Sequence, residues 1–460
     1  MAPNAAWRVQ EIWAMEKQVV RKTIQNNKQS NRNRATFAEP SRRTFLTTGG
    51  SLLASLATVS TPVWAQAINP IDEVLNQGQV EWGDRFDTPG QTVAAVRTAE
   101  PTLSASTAAN IESAMQFYYS VVQRGGWPLV PDDQTLRIGN RAHTVTILRQ
   151  RLIMSGDLVQ DVGVSEVFDS YVDAAVRRFQ SRHGIDPDGL AGKETFAAIN
   201  VPAEVRLRQL ETNLVRLRSM SGYLGDRYVM VNIPAAEIET VENGYVHSRH
   251  TGVVGKIDRQ TPVLTSKIHQ INFNPYWHVP KSIILKDLIP KMQKDPSYLQ
   301  DNRIHIRDLR NNIELDASQV NWNSEEALNY QFRQEPGAKN SMGSIKINFH
   351  NKHAVYLHDT PSKTLFGSSY RFHSSGCVRV QNVREFVTWV LNGTPGWDRM
   401  AVDAAIRSGE RNDVSVRDRV PIYMTYITAW ASNGGMIHFR DDIYNRDGLS
   451  AMSPIVAQQG

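Results

Sequence analysis

The sequence predicts an α+β protein of several domains, in which helical segments come first and a β-rich sandwich with an inserted subdomain follows. The chain has 460 residues, which is long enough for two to four domains. Apolar residues recur at helical spacing up to about residue 220, whereas short alternating segments typical of strands begin at Arg227. Many short strands with few helices favour a sandwich or a barrel for this second part.

Residues 1–67 have the three-part layout of a bacterial signal region. A basic head is followed by the uncharged run 44–71, in which small residues offer cleavage sites near Ala65 or Ala67. The string Ser-Arg-Arg-Thr-Phe-Leu at 41–46 resembles the twin-arginine export signal, which carries folded proteins. We therefore expect a periplasmic protein from which this segment has been cleaved.

Two features of this signal region stay open. The uncharged run is long enough to span a bilayer, so an uncleaved signal would act as a membrane anchor. The basic head is unusually long, and translation could start at Met1 or at Met15.

The net basic charge of the chain belongs to the signal region. The chain has 51 Lys and Arg against 46 Asp and Glu, and nine of the basic but only three of the acidic residues lie within 1–67. The remaining 42 basic and 43 acidic residues nearly cancel. The charge balance therefore gives no support for a nucleic-acid partner, and we expect none.

Helical patterns divide the next part of the chain into three segments. Residues 68–140 predict a helical lead-in with a helix over Ile111–Val122. Residues 141–203 predict three helices, of which the third follows a glycine-rich turn at 183–192. Residues 204–226 predict a charged amphipathic helix that connects this domain to the β-rich part.

The three-helix segment resembles the small peptidoglycan-binding domain. The matching residues are Ala175-Val176, Phe179-Gln180, His183-Gly184, Asp188-Gly189, Gly192 and Thr195. The resemblance implies a groove for cell-wall glycan or stem peptide, but no chemistry. Periodicity alone equally predicts a generic three-helix bundle.

Residues 227–430 predict the β-rich domain, and residues 431–460 a C-terminal tail. Seven segments alternate as strands do: Tyr228–Ile233, Ala236–Val241, Tyr245–Val254, Thr265–Asn272, Ile345–Phe349, Ala354–Leu357 and Pro421–Ile427. Polar and helical patterning interrupts them at 280–335. We interpret this interruption as an inserted helical subdomain that forms a lid over a site.

The only cysteine of the chain, Cys377, lies in the string Ser374-Ser375-Gly376-Cys377-Val378-Arg379. Exported proteins usually hold their thiols in disulfides or lack them, because a free thiol is open to oxidation. A lone thiol in such a chain is therefore a candidate nucleophile. It needs a base nearby, because a free thiol is mostly protonated at neutral pH.

Three histidines upstream of Cys377 are candidate bases. His358 ends a predicted strand, where a rigid scaffold displays catalytic groups. His353 lies five residues earlier, which puts its side chain on the opposite face of the strand. His373 lies four residues before the cysteine and would reach it only if the loop folds back.

The spacing of His358 and Cys377 resembles a known active site. His358, fifteen intervening residues and then Ser-Ser-Gly-Cys-Val-Arg are similar to the signature of the L,D-transpeptidases. Many members have histidine before the Gly-Cys pair, where this chain has Ser375. The large periplasmic branch that carries a peptidoglycan-binding domain is similar in having serine there. The resemblance implies an L,D-transpeptidase catalytic sandwich.

The resemblance also implies a role for each residue of the site. Cys377 is the nucleophile and His358 the general base, while Asp359 orients the ring through its backbone carbonyl. The backbone N–H groups of Gly376 and Ser375 form the oxyanion hole. The expected substrate contacts are Arg379, Tyr356, Trp277 and Ser374. No metal and no cofactor are implied.

The implied reaction is acyl transfer through a thioester. Cys377 attacks the carbonyl of the third residue of a tetrapeptide stem and releases D-alanine, and an amine of another stem then forms a 3–3 cross-link. Water as acceptor would give a carboxypeptidase, and a protein lysine would attach that protein to the wall. The expected partners are peptidoglycan stem peptides and glycan, with carbapenems as acylating inhibitors and membrane contact only through a retained signal.

Three other classes of protein share some of these features. A metal site built from His353, His358, His373 and Cys377 lacks a second cysteine and a short zinc pattern. A papain-like protease places its cysteine long before its histidine, which is the reverse of the order here. A non-catalytic wall-binding protein, with Cys377 as a small buried apolar residue, stays the alternative of another class.

Overall fold

The computed structural model of the protein describes residues 99–104, 106–220 and 224–448. The predicted signal region at 1–67 and the predicted lead-in before residue 99 lie outside the described residues. Within the described ranges, no helix combines the length and the apolar content that crossing a membrane requires.

In the described residues, helices come first and strands begin at Arg227. The strands are β1 Arg227–Asn232, β2 Glu237–Glu242, β3 Tyr245–Gly255, β4 Leu264–Phe273, β5 Trp277–His278, β6 Ile304–Asp308, β7 Ile313–Leu315, β8 Gln331–Gln334, β9 Ile345–Phe349, β10 Leu357–His358, β11 Phe372–Ser374, β12 Val378–Val380, β13 Asn412–Thr425, β14 Ala429–Ala431 and β15 Ile437–Phe439. The α-helices are α1 Thr107–Gln123, α2 His143–Met154, α3 Ser170–His183, α4 Lys193–Ile199, α5 Ala203–Ser219, α6 Lys281–Ile283, α7 Ile289–Lys294, α8 Tyr298–Asp301, α9 Val383–Val390 and α10 Arg399–Arg407. A π-helical turn, Ile284–Leu288, joins α6 to α7.

Nine strands form the mixed sheet of the β-rich domain, in the order β11-β3-β12-β10-β9-β4-β13-β1-β2. Because β2 also pairs with β3, the sheet closes on itself. Alternate residues of each strand fill its interior, for example Ile345, Ile347 and Phe349 of β9, and α9 covers them with Phe386 and Val387. The chain is therefore an α+β protein with a β-rich domain, which confirms the predicted fold class.

Two strands differ from their predicted bounds for local reasons. The segment predicted from Ala354 becomes a strand only at Leu357, because Ala354 has a φ of +54° and lies in a turn. The side-chain amide of Asn351 holds that turn by donating to the carbonyl of Val355 at 2.8 Å. The late strand β13 begins at Asn412 rather than Pro421, since a run of charged residues and a register shift between Ser415 and Val420 hide its alternation.

The insertion between β4 and β9 has a hydrophobic core of its own. It contains α6, α7 and α8, and also a four-stranded sheet in the order β5-β8-β6-β7. Ile304 and Ile306 of β6 and Phe332 of β8 are buried in that core with Leu288 of the π-helical turn. The prediction of a helical insertion is thus incomplete, because these short strands have polar outer faces that mask their alternation.

Helices α2, α3 and α4 form a small domain around a separate core that includes Leu148, Phe179 and Phe196. The carboxylate of Asp169 caps α3 by accepting from the N–H groups of the helix's first turn. The glycine-rich turn is held by buried Gln180, whose side chain accepts from the N–H of Gly189 and donates to the carbonyl of Leu190, both at 2.9 Å. One buried amide therefore fixes the loop between α3 and α4.

The predicted connector helix and tail are both parts of the packed structure. Leu210, Leu214 and Leu217 of α5 are buried in one cluster with Tyr118 of α1 and Phe439 of β15. The prediction of a tail from residue 431 is wrong as far as residue 448, because β14 and β15 form a hairpin whose apolar side chains complete that cluster. Residues 449–460 lie outside the described part.

A buried arginine that is paired with an aspartate of its own domain contacts this hairpin. A guanidinium nitrogen of Arg182, at the end of α3, lies 2.6 Å from the carboxylate of Asp157, and both side chains are buried. Arg182 also donates to the carbonyl of Ile437 in β15 at 3.2 Å. Arg182 therefore links the three-helix domain to the hairpin, and Asp157, which belongs to the same domain as Arg182, supplies its counter-charge.

We predict that Asp157→Ala lowers the free energy of unfolding by about 3–5 kcal/mol, because it leaves Arg182 buried without its counter-charge. Asp173→Ala, which removes the more exposed pair with Arg177, is the matched control and should cost about 0.3–0.5 kcal/mol. Urea unfolding followed by circular dichroism measures both losses. Equal, small losses in the two variants would contradict the prediction.

Candidate functional site

The register of three neighbouring strands sets the layout of the site. Strand β10 pairs in parallel with β12, so that His358 lies beside Arg379, and it pairs antiparallel with β9, so that His358 lies beside Lys346. The neighbouring residues Leu357 and Val378 are buried in the core of the sheet. Because side chains alternate along a strand, the polar residues project from the opposite face.

His358 is held in one orientation on this face. Its Nδ1 lies 2.5 Å from the backbone carbonyl oxygen of Asp359, which only accepts, so Nδ1 carries the proton and Nε2 is left free to take one. Burial, followed by the charge of Arg379, lowers the pKa of His358 to about 3. The ring is therefore a neutral base at pH 7.

The carboxylate of Asp359 holds the segment that follows His358. It accepts from the N–H and the hydroxyl of Ser344, each at 2.9 Å, and pairs with Lys363. Asp359 thus acts on the ring through its carbonyl, while its side chain fixes the turn that carries this carbonyl.

Cys377 precedes β12 and is half-buried. Loss of solvent raises the pKa of its thiol, and hydrogen bonds from the backbone and hydroxyl of Tyr356 and the charges of Lys346 and Arg379 act in the opposite direction. The balance leaves the thiol protonated at neutral pH, and the imidazole on the neighbouring strand is neutral as well. Nucleophilic attack therefore requires that the thiol proton be transferred as the reaction begins.

Tyr356 connects the thiol to the insertion. Burial raises the pKa of its hydroxyl, and the side chains of Cys377 and of Trp277, which belongs to β5, are near enough to act on that pKa as well. Its ring lies edge-on to that of His358, with centroids 5.6 Å apart, and the Nζ of Lys346 lies 4.5 Å from its centroid. The two aromatic residues expected to contact substrate are thus brought next to the nucleophile.

The loop before Cys377 is shaped by buried Ser374. Its hydroxyl donates to the carbonyl of Cys377 and accepts from the N–H of Gly376 at 3.1 Å. Gly376 has a φ of +107°, which favours glycine, and its carbonyl accepts from the hydroxyl of Thr261 at 3.0 Å. Ser374 therefore fixes the conformation of the loop that carries the nucleophile. The N–H of Gly376 would have to break its hydrogen bond to Ser374 before this N–H could bind an oxyanion.

The other N–H groups of this loop are differently placed. No partner of the N–H groups of Ser375 and Cys377 occurs in the described part of the chain. They are consequently the donors that an oxyanion next to the sulfur would meet first.

The loop also contacts the insertion through Arg259, which the sequence analysis did not single out. Arg259 donates to the hydroxyl of Ser375 at 2.9 Å and to the carboxylate of Asp287, which belongs to the π-helical turn, at 3.1 Å. One guanidinium thus joins the residue two positions before the nucleophile to the insertion. No local pattern marks Arg259 or Asp287, because both lie in polar segments remote from Cys377 in sequence.

The two other histidines lie elsewhere. His353 is exposed, in the turn held by Asn351, and His373 donates from Nε2 to the carbonyl of Tyr370 at 3.1 Å. In the described residues, no three His, Cys, Asp or Glu side chains are grouped so that they could hold a metal ion. The structure therefore brings one histidine, His358, to the strand beside the nucleophile.

Comparison with known sequences identifies two domains. Residues 226–397 match the L,D-transpeptidase catalytic domain (YkuD), and residues 141–199 match the putative peptidoglycan binding domain. A putative L,D-transpeptidase from Haemophilus influenzae is 32% identical over 241 residues, which cover 52% of this chain and 48% of that protein. The chain thus spans about half the length of this curated relative.

Solved structures of L,D-transpeptidases are much less similar in sequence. The enzyme from Xylanimonas cellulosilytica is 14% identical with a TM-score of 0.22, over 64% of this chain and 99% of that chain. L,D-transpeptidase 3 from Mycobacterium tuberculosis, in complex with a faropenem-derived adduct, is 10% identical with a TM-score of 0.22, over 44% and 60%.

We predict that alkylation of Cys377 by iodoacetamide still accelerates with pH at about pH 9, because burial raises the pKa of this thiol and only the thiolate reacts. The same chain unfolded in urea is the control, since its thiol has the ordinary pKa and its rate should level off at lower pH. Intact mass measures the single adduct, because the chain has no second cysteine. A plateau below pH 7 in the folded protein would instead indicate a preformed thiolate–imidazolium pair.

Proposed function

We propose that this chain, whose residues 226–397 form a catalytic domain of the L,D-transpeptidase family, is a peptidoglycan L,D-transpeptidase with Cys377 as its nucleophile. The observation that carries the proposal is the register of β10 and β12. It puts a neutral imidazole with a free Nε2 on the strand next to the one that Cys377 precedes. A thiol and a base held on neighbouring strands of a rigid sheet suit acyl transfer.

The first half of the reaction is acylation of the thiol. The Cys377 proton passes to Nε2 of His358 as the sulfur attacks the carbonyl carbon of the donor stem's third residue. A C–S bond forms and the carbonyl oxygen becomes an oxyanion, which the N–H groups of Cys377 and Ser375 face. The C–N bond to D-alanine then breaks, and the leaving amine takes the proton from His358. A thioester remains on Cys377.

The second half transfers the acyl group to an amine. The side-chain amine of another stem's third residue attacks the thioester and gives a proton to His358, a new C–N bond forms, and the C–S bond breaks. The thiolate recovers its proton from the imidazolium, which restores the starting state. The product is a 3–3 cross-link. Water in place of the amine would release a tripeptide stem, and a protein lysine would attach that protein to the wall.

The three-helix domain supports a wall substrate rather than a soluble one. It matches the peptidoglycan-binding domain over residues 141–199 and contacts the hairpin of β14 and β15 through Arg182, which donates to the carbonyl of Ile437. A module that holds the chain on peptidoglycan raises the local concentration of stems at the catalytic domain. We propose in the same sense that the protein works in the periplasm after twin-arginine export, where this polymer is found.

Carbapenem-type β-lactams are proposed as acylating ligands of the same thiol. Solved structures of L,D-transpeptidases include one in complex with the carbapenem imipenem and one with a faropenem-derived adduct. Opening of the lactam by Cys377 would require the same transfer of the thiol proton to His358. A stable adduct therefore tests the nucleophile without any acceptor for the acyl group.

We predict that the purified protein converts disaccharide-tetrapeptide into a dimer that lacks one D-alanine, detected by mass spectrometry. Cys377→Ala should abolish the product, and His358→Gln should lower the rate by about 10²–10⁴-fold because no general base remains. His353→Gln is the matched control, since its side chain is exposed and away from the site, and should retain full activity.

The products and adducts separate the alternatives. A tripeptide without dimer would identify a carboxypeptidase. Unchanged tetrapeptide together with no carbapenem adduct on the folded protein would overturn the enzyme proposal and leave the non-catalytic wall-binding protein. Activity that persists in Cys377→Ala would exclude Cys377 as the nucleophile.

A further inference from the structure

Two cations flank the base of the catalytic site. Lys346 on β9 and Arg379 on β12 each lie opposite His358 in the two strand pairs that β10 forms. Because β10 lies between β9 and β12, one cation stands on each side of the imidazole. Lys346 lies over the ring of Tyr356, whose carbonyl accepts from the N–H of Val378, and Arg379 follows Cys377 by two residues, so both cations lie near the segment that carries the reacting sulfur.

Neither cation has a carboxylate partner in the described part of the chain. Lys346 forms no ion pair there, and its Nζ lies 4.5 Å from the ring centroid of Tyr356. Arg379 forms no ion pair there either, and its buried Nε has no hydrogen-bond partner. Loss of solvent lowers the pKa of both groups, which shows that their charges are partly desolvated.

The carboxylates whose charges act on Lys346 and on His358 are engaged elsewhere. Asp413, the carboxylate whose charge acts on Lys346, pairs with Arg411 and accepts from the side chain of Asn272 at 2.8 Å. Asp359, next to His358, pairs with Lys363. Desolvated cations without counter-charges are unfavourable unless a ligand supplies one. The site is thus prepared for an anionic group of the substrate.

We propose that Lys346, together with Arg379, binds the free terminal carboxylate of the D-amino acid that leaves the donor stem, and so selects a tetrapeptide over a stem whose fourth residue is amide-linked. This inference rests on the proposed function. The carboxylate is separated from the scissile nitrogen by a single carbon, which keeps it near the groups around Cys377. Charge-assisted hydrogen bonds from a lysine and an arginine suit it.

The position of Lys346 explains why it would contact the leaving group. Its ammonium lies over the ring of Tyr356, and the carbonyl of that tyrosine accepts from the N–H of Val378, the residue after Cys377, at 3.1 Å. A carboxylate bound by the ammonium would lie beside the tyrosine and the thiol. A stem with a fifth residue would place a neutral peptide group there and leave both cations without a counter-charge.

The test compares two donors that differ only at this carboxylate. Disaccharide-tetrapeptide with a free carboxylate and the same compound as its terminal carboxamide are each given to the wild type, Lys346→Met, Lys346→Arg and Lys267→Met. Lys267 is exposed on β4 and serves as the matched control. The measured quantity is the ratio of kcat/KM for the two donors. A variant that only lowers the fraction of Cys377 present as thiolate lowers kcat/KM equally for both donors, so this effect cancels in the ratio.

We expect the wild type to prefer the free carboxylate by about tenfold or more, since an unpaired charge at a site built for its partner is strongly disfavoured. Lys346→Met should bring the ratio close to one, Lys346→Arg should restore most of it, and Lys267→Met should leave it unchanged. Equal losses on both donors in Lys346→Met would overturn the proposal and assign Lys346 to the thiol or to the fold. Failure of the proposed function would differ, because the wild type would then consume neither donor.

Discussion

The parallel pairing of β10 with β12 is the constraint on which the site depends. It fixes which residue lies beside which, and the burial of Leu357 and Val378 fixes which face each residue takes. A slip of one residue would turn Leu357 outward and bury the imidazole of His358 in an apolar core. The hydrophobic pattern of two very short strands therefore positions the base, and the rest of the closed sheet serves to hold those strands in register.

The electrostatics of the site follow from its place on this face. Burial favours the neutral forms of His358 and Cys377, so the resting protein avoids a desolvated ion pair. The charges that remain, on Lys346 and Arg379, would oppose an imidazolium but favour a thiolate or an oxyanion. The arrangement thus stabilises negative charge that develops during acyl transfer more than the ion pair that would precede it.

Part of this structure could be predicted from the sequence. The alternation of β1 to β4 and of β9, the helical spacing of α2 and α3, and the His358 and Cys377 spacing are local signals, and each is visible without coordinates. Lys346 was missed because its strand partner is set by pairing at a distance, not by its neighbours Ile345 and Ile347. The strands of the insertion, and the hairpin of β14 and β15, were missed because their apolar residues are few and become meaningful only when they pack in clusters formed by remote segments.

The insertion acts on the nucleophile through two separate contacts. Trp277 acts on the pKa of Tyr356, whose side chain acts on the pKa of the Cys377 thiol, and Asp287 pairs with Arg259, which donates to Ser375. Because the insertion has its own core, Trp277 and Asp287 are carried by one packed unit. A displacement of that unit would change the surroundings of the tyrosine and remove the Arg259 contact from the loop at the same time. The reactivity of the thiol is therefore coupled to the position of the insertion, although no residue of the insertion need contact the sulfur itself.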